Sequence, residues 1–180
     1  MPELAIRDLV GDERERAVPL LIASFVGIYR WHAKRTLRRV VRVRAAERDG
    51  ALEGVAMLER LAAQVGYVYY IAVLPARRMR GVGAALLDDA LDRFRADGLH
   101  IAYAAVEEDN APSLRLFTSR GFRRVERTET GYQDGGLGAW GLRSRMMLVH
   151  GEVLLGRYLD PRGMSSETLV VAIEPVRPPP

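Results

Sequence analysis

The sequence predicts an α/β protein, with a mixed α+β sheet flanked by about four helices. Two observations indicate this class. Segments in which apolar residues alternate at a period of two are interleaved with segments in which they recur at helical spacing, and Gly, Pro or Asp-Gly positions separate the segments. The length of 180 residues, 48% of them hydrophobic, fits one domain that buries a core of its own.

The first part of the chain predicts a strand followed by two helical segments. Leu4–Leu9 is a short strand, and Asp12 is a candidate N-cap of the first helix, which places Pro19 in the first turns of that helix. Gly27 interrupts the helical spacing, and Tyr29–Leu37 is a second helix.

A hairpin and a buried strand come next. Val41–Ala45 alternates apolar and basic residues, Asp49-Gly50 is a strong hairpin signal, and Leu52–Leu61 is the returning strand. Gly66–Leu74 is apolar on both faces, which is typical of a strand inside a sheet that is covered on both sides.

Two helix and strand segments follow. Ala84–Ala96 is an amphipathic helix that ends at Gly98, a natural left-handed cap, and His100–Val106 is the next strand. Asn110 caps a further helix that ends at Gly121. The predicted buried stripe of the first of these helices is Leu86, Leu87, Ala90, Leu91 and Phe94.

The last part of the chain predicts a strand pair and a loop. Phe122–Thr128 and Ser144–Val149 form the pair, and the Gly-rich segment Glu129–Arg143 between them is either a mobile loop or a ligand lid.

We expect two parts in the domain organisation. One domain covers residues 1–150, and an extension covers residues 151–180, with a strand at Thr168–Ile173 and a frayed Pro-rich end. The extension either pairs with a neighbouring chain, as in a homodimer, or covers its own sheet.

Composition excludes several classes of function. A chain with no Cys has no disulfide framework, thiol catalysis, zinc finger or iron–sulfur cluster, and three His far apart in sequence argue against a metal site. The apolar runs are shorter than the roughly 18–20 residues that a membrane span needs, and the N-terminus lacks a basic-then-apolar leader. We therefore expect a soluble, cytoplasmic protein with no membrane partner and no metal.

The basic residues raise nucleic-acid binding as an alternative function. The chain has 27 basic and 23 acidic residues, a formal charge of +4, and all but one of the basic residues are Arg. Alternation would place Arg42 and Arg44 on one face of a strand, with Arg35, Arg38 and Arg39 nearby in sequence. We favour a solvated charged face that is offset by the acids, and no nucleic-acid partner.

The turn Arg77–Gly83 has the physical features of a pyrophosphate site. Backbone N–H groups at the start of a helix point into one concavity, and the helix dipole adds about half a positive charge there. Gly81 and Gly83 let a phosphate approach the backbone, and the three arginines of the turn raise the positive potential. A glycine-rich connection without a ligand is the alternative. A Walker loop does not fit, because the turn contains no Lys.

Two motifs of the sequence resemble those of the GNAT N-acetyltransferase family. Arg78-x-x-Gly81-x-Gly83 is similar to the family's acetyl-CoA-binding motif, in which Arg or Gln is followed by Gly and then by Gly or Ala. Asn110-x-x-Ser113-x-x-Leu116-Phe117-x-x-x-Gly121-Phe122 resembles the family's second motif, and Val106 stands where the family places a strand valine. The motifs occur in the family's order, and the resemblance extends from Leu4 to Val149.

The resemblance implies the GNAT fold, in which a mostly antiparallel sheet contains a splayed parallel strand pair and acetyl-CoA lies in the gap. It implies that the backbone at Ile71 and Val73 holds the pantetheine arm and polarises the thioester carbonyl. It also implies that the amides of Arg78–Ala84 hold the pyrophosphate and that Asn110 hydrogen-bonds the pantetheine. The other implied cofactor-binding residues are Ala72, Met79, Arg80, Gly81, Val82, Gly83, Ser113 and Phe117.

The resemblance further implies direct attack of an amine on the thioester in a ternary complex, assisted by a base and often by an acid. Phe117 stands where the family commonly has a Tyr acid, so that water would have to protonate the leaving thiolate. Ala105 stands where ribosomal-protein N-terminal acetyltransferases often have a Glu, and this argues against that subclass. The candidate bases are Tyr70, which stands where many members have a Glu, Glu107, Glu108 and His32. Each of these residues also has a purely structural interpretation, and a chain of waters would need none of them.

The resemblance places the acceptor site on the first two helices and on the loop between the last strands. The aromatic and weakly acidic residues there favour an apolar or aromatic amine, although core packing also explains them. They are Phe25, Tyr29, Trp31, His32, Tyr132 and Trp140. The leading hypothesis is an acetyl-CoA-dependent N-acetyltransferase of small-molecule or peptide amines, and the alternative is a catalytically silent acyl-CoA-binding module.

Overall fold

The computed structural model describes residues 3–125, 146 and 151–159. Its strands are β1 (Ala5–Asp8), β2 (Arg42–Arg48), β3 (Ala51–Ala62), β4 (Val65–Val73), β5 (Ile101–Glu107), β6 (Arg123–Arg124) and β7 (Glu152–Tyr158). Its α-helices are α1 (Val18–Ser24), α2 (Gly27–Arg39), α3 (Val82–Ala96) and α4 (Ala111–Thr118). Within this part of the chain one strand pair is parallel, and the predicted mixed α/β class is confirmed.

The first of two compact units comprises Met1–Glu59 and Val68–Arg93. Its strands follow the order β1-β2-β3-β4, and β2 pairs antiparallel with both β1 and β3. The predicted turn between β2 and β3 is confirmed, because Asp49 has a φ of 49° and Gly50 a φ of 75°. Two successive left-handed residues are what a tight hairpin turn requires.

The first helix begins later than the sequence predicts. Asp12 does not cap it: Gly11–Ala17 is a 3₁₀ segment, and α1 begins at Val18 with Pro19 in its first turn. The reason is steric, because an α-helix starting at Asp12 would press the ring of Pro19 against the carbonyl group of Glu15. The early acids pair with arginines instead, and Glu13 lies 3.0 Å from Arg7.

Helices α1 and α2 contribute to the apolar core of the first unit. Leu21 of α1 and Leu37 of α2 are fully buried together with Val43 of β2 and Met57 of β3. Each such side chain stabilises the fold by about 1.5–3 kcal/mol relative to an exposed position. The core therefore fixes the helices against the strands of this unit.

Helix α3 is attached to the first unit by an ion pair as well as by apolar packing. Its five predicted stripe residues are all buried, as the sequence predicts. Arg44 of β2, 3% exposed, donates from Nε and Nη2 to the carboxylate of Asp89 at 2.6 and 2.8 Å. Burial alone would lower the pKa of Arg44, but hydrogen bonds to Asp89 and Asp8 outweigh it and the pKa is raised. The guanidinium is therefore held in its charged form.

The second unit comprises Arg60–Tyr67 and Phe94–Pro180. Its strand order is β4-β5-β7-β6, and β7 pairs antiparallel with β5 from Ile101↔Tyr158 to Glu107↔Glu152. Arg123 and Arg124 of β6 pair with the other edge of β7.

The last strand pair lies elsewhere than the sequence predicts. The strand beside β6 is Glu152–Tyr158 and not Ser144–Val149, of which the structure describes Met146, in a helical conformation. Gly151, with a φ of 89°, accepts a hydrogen bond from the Glu108 amide and turns the chain into β7.

Residues 152–158 thus pair with strands of their own chain, as one of the two alternatives for the extension expects. The division at residue 150 stays a prediction. The predicted loop Glu129–Arg143 and the strand Thr168–Ile173 lie outside the described residues. Over the described ranges, no helix combines the length and apolarity needed to cross a membrane.

Candidate cofactor and catalytic site

The predicted pyrophosphate turn leads from the end of β4 to the start of α3. A 3₁₀ segment, Pro75–Arg77, is followed by Arg78 in extended conformation and by Met79 and Gly81 at φ values of 59° and 83°. Left-handed residues in such a turn bring successive backbone N–H groups to one concave side. A Cβ on Gly81 would meet no atom within 4 Å, so the space beside it is open. The turn therefore fits an anion at the positive end of the α3 dipole.

The three arginines of the turn, which the sequence treats alike, have different surroundings. Arg77 Nε lies 3.1 Å from Glu53 Oε1 of β3. Arg78 Nε donates to the Val73 carbonyl oxygen at 3.3 Å. Arg80 makes no hydrogen bond or ion pair with the described part of the chain. Arg80 is thus the arginine of the turn whose whole guanidinium is available to an incoming phosphate.

Strand β3 contacts the residues on both sides of this turn. The Leu74 amide donates to the Glu53 carbonyl oxygen at 2.9 Å. A Cβ on Gly54 would lie 3.0 Å from the Ala72 carbonyl oxygen and from side-chain atoms of Val82 and Leu86. Helix α3 can pack this closely on β3 only because residue 54 has no side chain.

The end of β4 holds the residues predicted to meet the pantetheine. Ala72 is buried, while Ile71 and Val73 are partly exposed on the other face of the strand. The Val73 carbonyl accepts from Arg78 and, at 3.4 Å, from Ser24 Oγ of α1. The end of β4 is thus held by helix α1 and by the turn that follows β4.

Tyr70, the first candidate base, lies on β4 beside these residues. Its ring packs edge-on against Phe25 with 5.2 Å between centroids, and both rings lie against the core of the first unit. Of the two structural interpretations of Tyr70, a core or a pocket-wall aromatic, the packing supports the core aromatic, and a catalytic role stays a prediction.

The predicted pantetheine residues of the second motif lie on α4. Asn110 is the N-cap of α4, and its side-chain oxygen accepts from the Ser113 amide at 3.2 Å. Ser113 and Phe117, four residues apart, share one face of α4. Phe117 is 6% exposed and packs edge-on against Phe122 at 5.0 Å between centroids. The family's usual acid position is thus filled by a core ring that has no proton to donate.

The two acidic candidates at the end of β5 differ in their surroundings. Glu107 is partly buried, is the last residue of β5 and accepts a hydrogen bond from the Asn110 amide through its carbonyl oxygen. The side chain of Glu108 is 63% exposed and forms an ion pair with Arg124 at 3.0 Å. Glu108 is therefore a surface residue in an ion pair, whereas Glu107 is partly shielded from solvent, and a catalytic role of either residue stays a prediction.

The acceptor-side residues that the structure describes lie on α2 or next to it. Trp31 is 56% exposed, with the Arg35 guanidinium 5.5 Å from its ring centroid. His32 packs edge-on against Trp31, and its buried Nδ1 has no hydrogen-bond partner among the described residues. Tyr132 and Trp140 lie outside the described residues.

The predicted residues therefore form two groups, each described in its own unit. In the first unit, Tyr70–Val73 precede the turn and Arg78–Ala84 form most of it. In the second unit, Glu107 ends β5, and Asn110, Ser113 and Phe117 belong to α4 and its N-cap. A cavity of about 570 Å³ in the second unit is lined by none of these residues.

The sequence interpretation missed Glu53 and Gly54. A signal for them exists in the sequence, because an acid and a glycine interrupt an otherwise apolar stretch of the predicted strand Leu52–Leu61. Such a glycine marks close approach of another element, and a buried acid requires a basic partner.

The fold and the turn together define a class of mixed α/β proteins with a phosphate-binding turn, and comparison with known proteins makes the class definite. The chain belongs to the GNAT family: the family model described as "Acetyltransferase (GNAT) family" matches residues 5–122. The resemblance that the two motifs carry is thereby confirmed.

Individual proteins are similar to parts of the chain. A mycothiol acetyltransferase of Clavibacter michiganensis is 42% identical over 79 residues, which cover 44% of this chain and 26% of that protein. The N-alpha-acetyltransferase RimI of Mycobacterium tuberculosis is 35% identical over 101 residues, 54% of this chain and 62% of that protein. The chain thus spans about a quarter of the length of the mycothiol acetyltransferase that it matches.

A solved structure shows the same fold at low identity. The ribosomal-protein-S18-alanine N-acetyltransferase from Escherichia coli superposes with a TM-score of 0.65 at 18% identity, covering 92% of this chain and 97% of that one. The predicted GNAT fold is therefore confirmed.

Proposed function

We propose that the protein is an N-acetyltransferase that moves the acetyl group of acetyl-CoA to an amine in a ternary complex. The observation that carries this proposal is the turn before α3. Met79 and Gly81 in left-handed conformation, open space beside Gly81 and the available charge of Arg80 fit a pyrophosphate. Family membership supports acetyl-CoA as the acyl donor.

The residues of this chain have distinct tasks in the proposed reaction. Backbone groups of Ile71–Val73 orient the pantetheine arm and polarise the thioester carbonyl, and such preorganised donors contribute about 3–4 kcal/mol to acyl transfer. The amides of Arg78–Ala84 bind the pyrophosphate, and Asn110 donates from its side-chain amide to the pantetheine. Acetyl-CoA supplies the activated acyl group.

Proton transfer differs from the usual family pattern. The amine attacks the carbonyl carbon as its nitrogen loses a proton, a new C–N bond forms, and the C–S bond breaks to release the CoA thiolate. Tyr70 and Glu107 are the residues we propose for accepting the amine proton. Because Phe117 has no hydroxyl, water protonates the thiolate, and a thiol with a pKa of about 8.5 is a tolerable leaving group without an acid.

The proposed acceptor is a small-molecule or peptide amine. One of the two similar proteins is named a mycothiol acetyltransferase and the other an N-alpha-acetyltransferase, so the names support both a small-molecule and an α-amine acceptor. The exposed Trp31 on α2 supports an acceptor with an apolar part. A cytoplasmic location and a homodimer remain predictions of the same proposal.

The test is binding followed by turnover. Isothermal titration with CoA should give saturable binding, and Arg80→Gln should weaken it because one phosphate partner is lost. Acetyl-CoA with a panel of aliphatic, aromatic and peptide amines should then release CoA thiol with at least one acceptor. A chain that fails to bind CoA would refute the assignment of the turn.

A catalytically silent acyl-CoA-binding module is the second candidate, and the buried Phe117 favours it. Phe117→Tyr distinguishes the two functions, with Phe122→Tyr as a control for the stability effect of a hydroxyl in the same ring pair. A slow enzyme should turn over faster with Phe117→Tyr alone. A binding module should release no thiol with any amine in either variant.

A further inference from the structure

We propose that Glu53 is a positioning residue of the acetyl-CoA site. It holds the pyrophosphate turn in its binding conformation through an ion pair with Arg77. This inference rests on the proposed function, and it assigns a task to a residue that belongs to neither family motif.

Glu53 holds both ends of the 3₁₀ segment that leads into the turn. Its carbonyl oxygen accepts from the Leu74 amide at 2.9 Å, just before the segment, and its carboxylate lies 3.1 Å from Arg77 Nε at the end of the segment. Two attachments to one strand residue fix the direction in which the chain enters Arg78.

Glu53 is buried, so its carboxylate depends on its ion-pair partners. Its side chain is 4% exposed, whereas that of Arg77 is 44% exposed. A buried carboxylate needs partners because its desolvation is costly, and Arg48 of β2 supplies one at 3.3 Å. Arg48 belongs to the sheet, so the turn is held by the second partner, Arg77.

The direction of the chain matters because the turn binds through backbone N–H groups. Hydrogen bonds weaken steeply when the donor angle falls below about 120°. A turn that enters from a different direction presents the same amides at poorer angles to the pyrophosphate. Loss of the Glu53–Arg77 ion pair should therefore weaken phosphate binding, although every amide that binds the phosphate is still present.

Simple electrostatics predicts a change in CoA affinity of the opposite sign for a substitution of Glu53. Glu53→Gln removes a negative charge close to a site for an anion, and Coulomb's law alone predicts tighter binding of CoA. Positioning predicts weaker binding. The sign of the change in CoA affinity therefore shows whether Glu53 acts as a positioning residue or only as a nearby negative charge.

The experiment measures the affinity of the full chain for CoA and for pantetheine, which lacks the pyrophosphate. We expect Glu53→Gln to weaken CoA binding five- to tenfold and to change pantetheine binding less than twofold. Arg48→Gln is the matched control, because it breaks the other ion pair of the same carboxylate, and CoA affinity should stay within twofold. The double variant Glu53→Gln/Arg77→Gln should lose no more affinity than the weaker-binding single variant, since both changes break one contact.

Each outcome decides between hypotheses. If the unmodified chain does not bind CoA, the proposed function fails. If it binds, and Glu53→Gln binds CoA equally well or more tightly, the positioning role is wrong. A loss of pantetheine affinity equal to the loss of CoA affinity would show a general structural defect instead.

A second measurement covers the case in which Glu53→Gln does not fold. Arg77→Gln changes an exposed side chain and leaves the carboxylate with Arg48. Amide hydrogen exchange at Arg78–Gly83 in the absence of ligand should be at least threefold faster in this variant than in the unmodified chain. Unchanged exchange would overturn the inference.

Discussion

Gly54 provides a direct test of how the position of α3 controls the phosphate turn. In Gly54→Ala the new Cβ would lie 3.0 Å from the Ala72 carbonyl oxygen, from Val82 Cγ1 and from Leu86 Cδ1. The carbonyl oxygen belongs to β4 and cannot retreat, so the side chains of α3 must move by a few tenths of an ångström. The displacement falls on the first turns of α3, where the pyrophosphate amides lie.

The magnitude of this effect follows from the contacts. Overpacking a core costs about 1–3 kcal/mol, and the lower chain entropy of an unfolded Ala offsets about 0.4–1 kcal/mol of it. We expect the free energy of unfolding to fall by about 1–2 kcal/mol. The affinity for CoA should fall three- to tenfold, which corresponds to about 0.7–1.4 kcal/mol.

Urea denaturation and calorimetric titration with CoA measure the two quantities, with Gly156→Ala as the matched control. A Cβ on Gly156 would lie 2.8 Å from ring and methyl atoms of Tyr103 and Val125, and its nearest neighbours include no residue of α3 or of the turn. This control should lose similar stability and keep its CoA affinity. Equal losses of CoA affinity in both variants, or none in Gly54→Ala, would refute the reasoning.

Three further predictions concern single residues. Met79 is in the left-handed conformation and is 93% exposed. Urea denaturation should therefore give Met79→Gly a free energy of unfolding within about 0.5 kcal/mol of the unmodified chain, and Met79→Val one that is lower by more than about 1 kcal/mol. Equal stabilities of the two variants would show that residue 79 is not strained. For Asn110, thermal unfolding should show that the Ala variant loses about 1 kcal/mol of stability and that the Ser variant, which retains an N-cap, loses little. Titration should show weaker CoA binding for both variants. Unchanged CoA affinity in the Ser variant would show that Asn110 acts only as the N-cap of α4. Hydrogen bonds from Arg7 hold the pKa of Glu47 below its ordinary value of 4.5, so the stability that Glu47 contributes is complete above that value and is lost as the pH falls through the lowered pKa. Denaturation between pH 7 and pH 3 should therefore show a shallower acid limb for Glu47→Gln, and parallel limbs would contradict this origin of the acid sensitivity.

Much of the fold could be predicted because local signals and tertiary packing agree. The Asp49-Gly50 turn, the Asn110 cap and the buried stripe of α3 each rest on a rule that acts within a few residues, and the structure confirms all three. The errors arose where one local rule was set against another. At the first helix the Pro19 ring overrode the capping signal of Asp12, and the strand that pairs with β6 follows the turn at Gly151, beyond the predicted last strand pair.

The candidate site could be predicted only in the parts that bind through the backbone. Left-handed positions and a helix start leave a clear signal in the spacing of Arg78, Gly81 and Gly83. The supporting residues leave a weaker one, because Glu53 reaches Arg77 across 24 positions of the chain, and a buried acid in a strand does not indicate which arginine it meets. Proton transfer is less predictable still, since Tyr70 and Glu107 are each explained equally well by packing or by a strand end.

The arginines show why charge in a sequence is a poor guide to a charged partner. Arg42 and Arg44, which alternation places on one face, both contact Asp8, and Arg44 is buried against Asp89. In the turn, Arg77 is neutralised by Glu53 and Arg78 is bound to a carbonyl group, while Arg80 is left available. A guanidinium that is already paired with a carboxylate adds little long-range field, so the number of arginines in the chain overstates its attraction for phosphates. CoA affinity in low salt should therefore depend on Arg80 more than on Arg42, although the two residues are indistinguishable by composition.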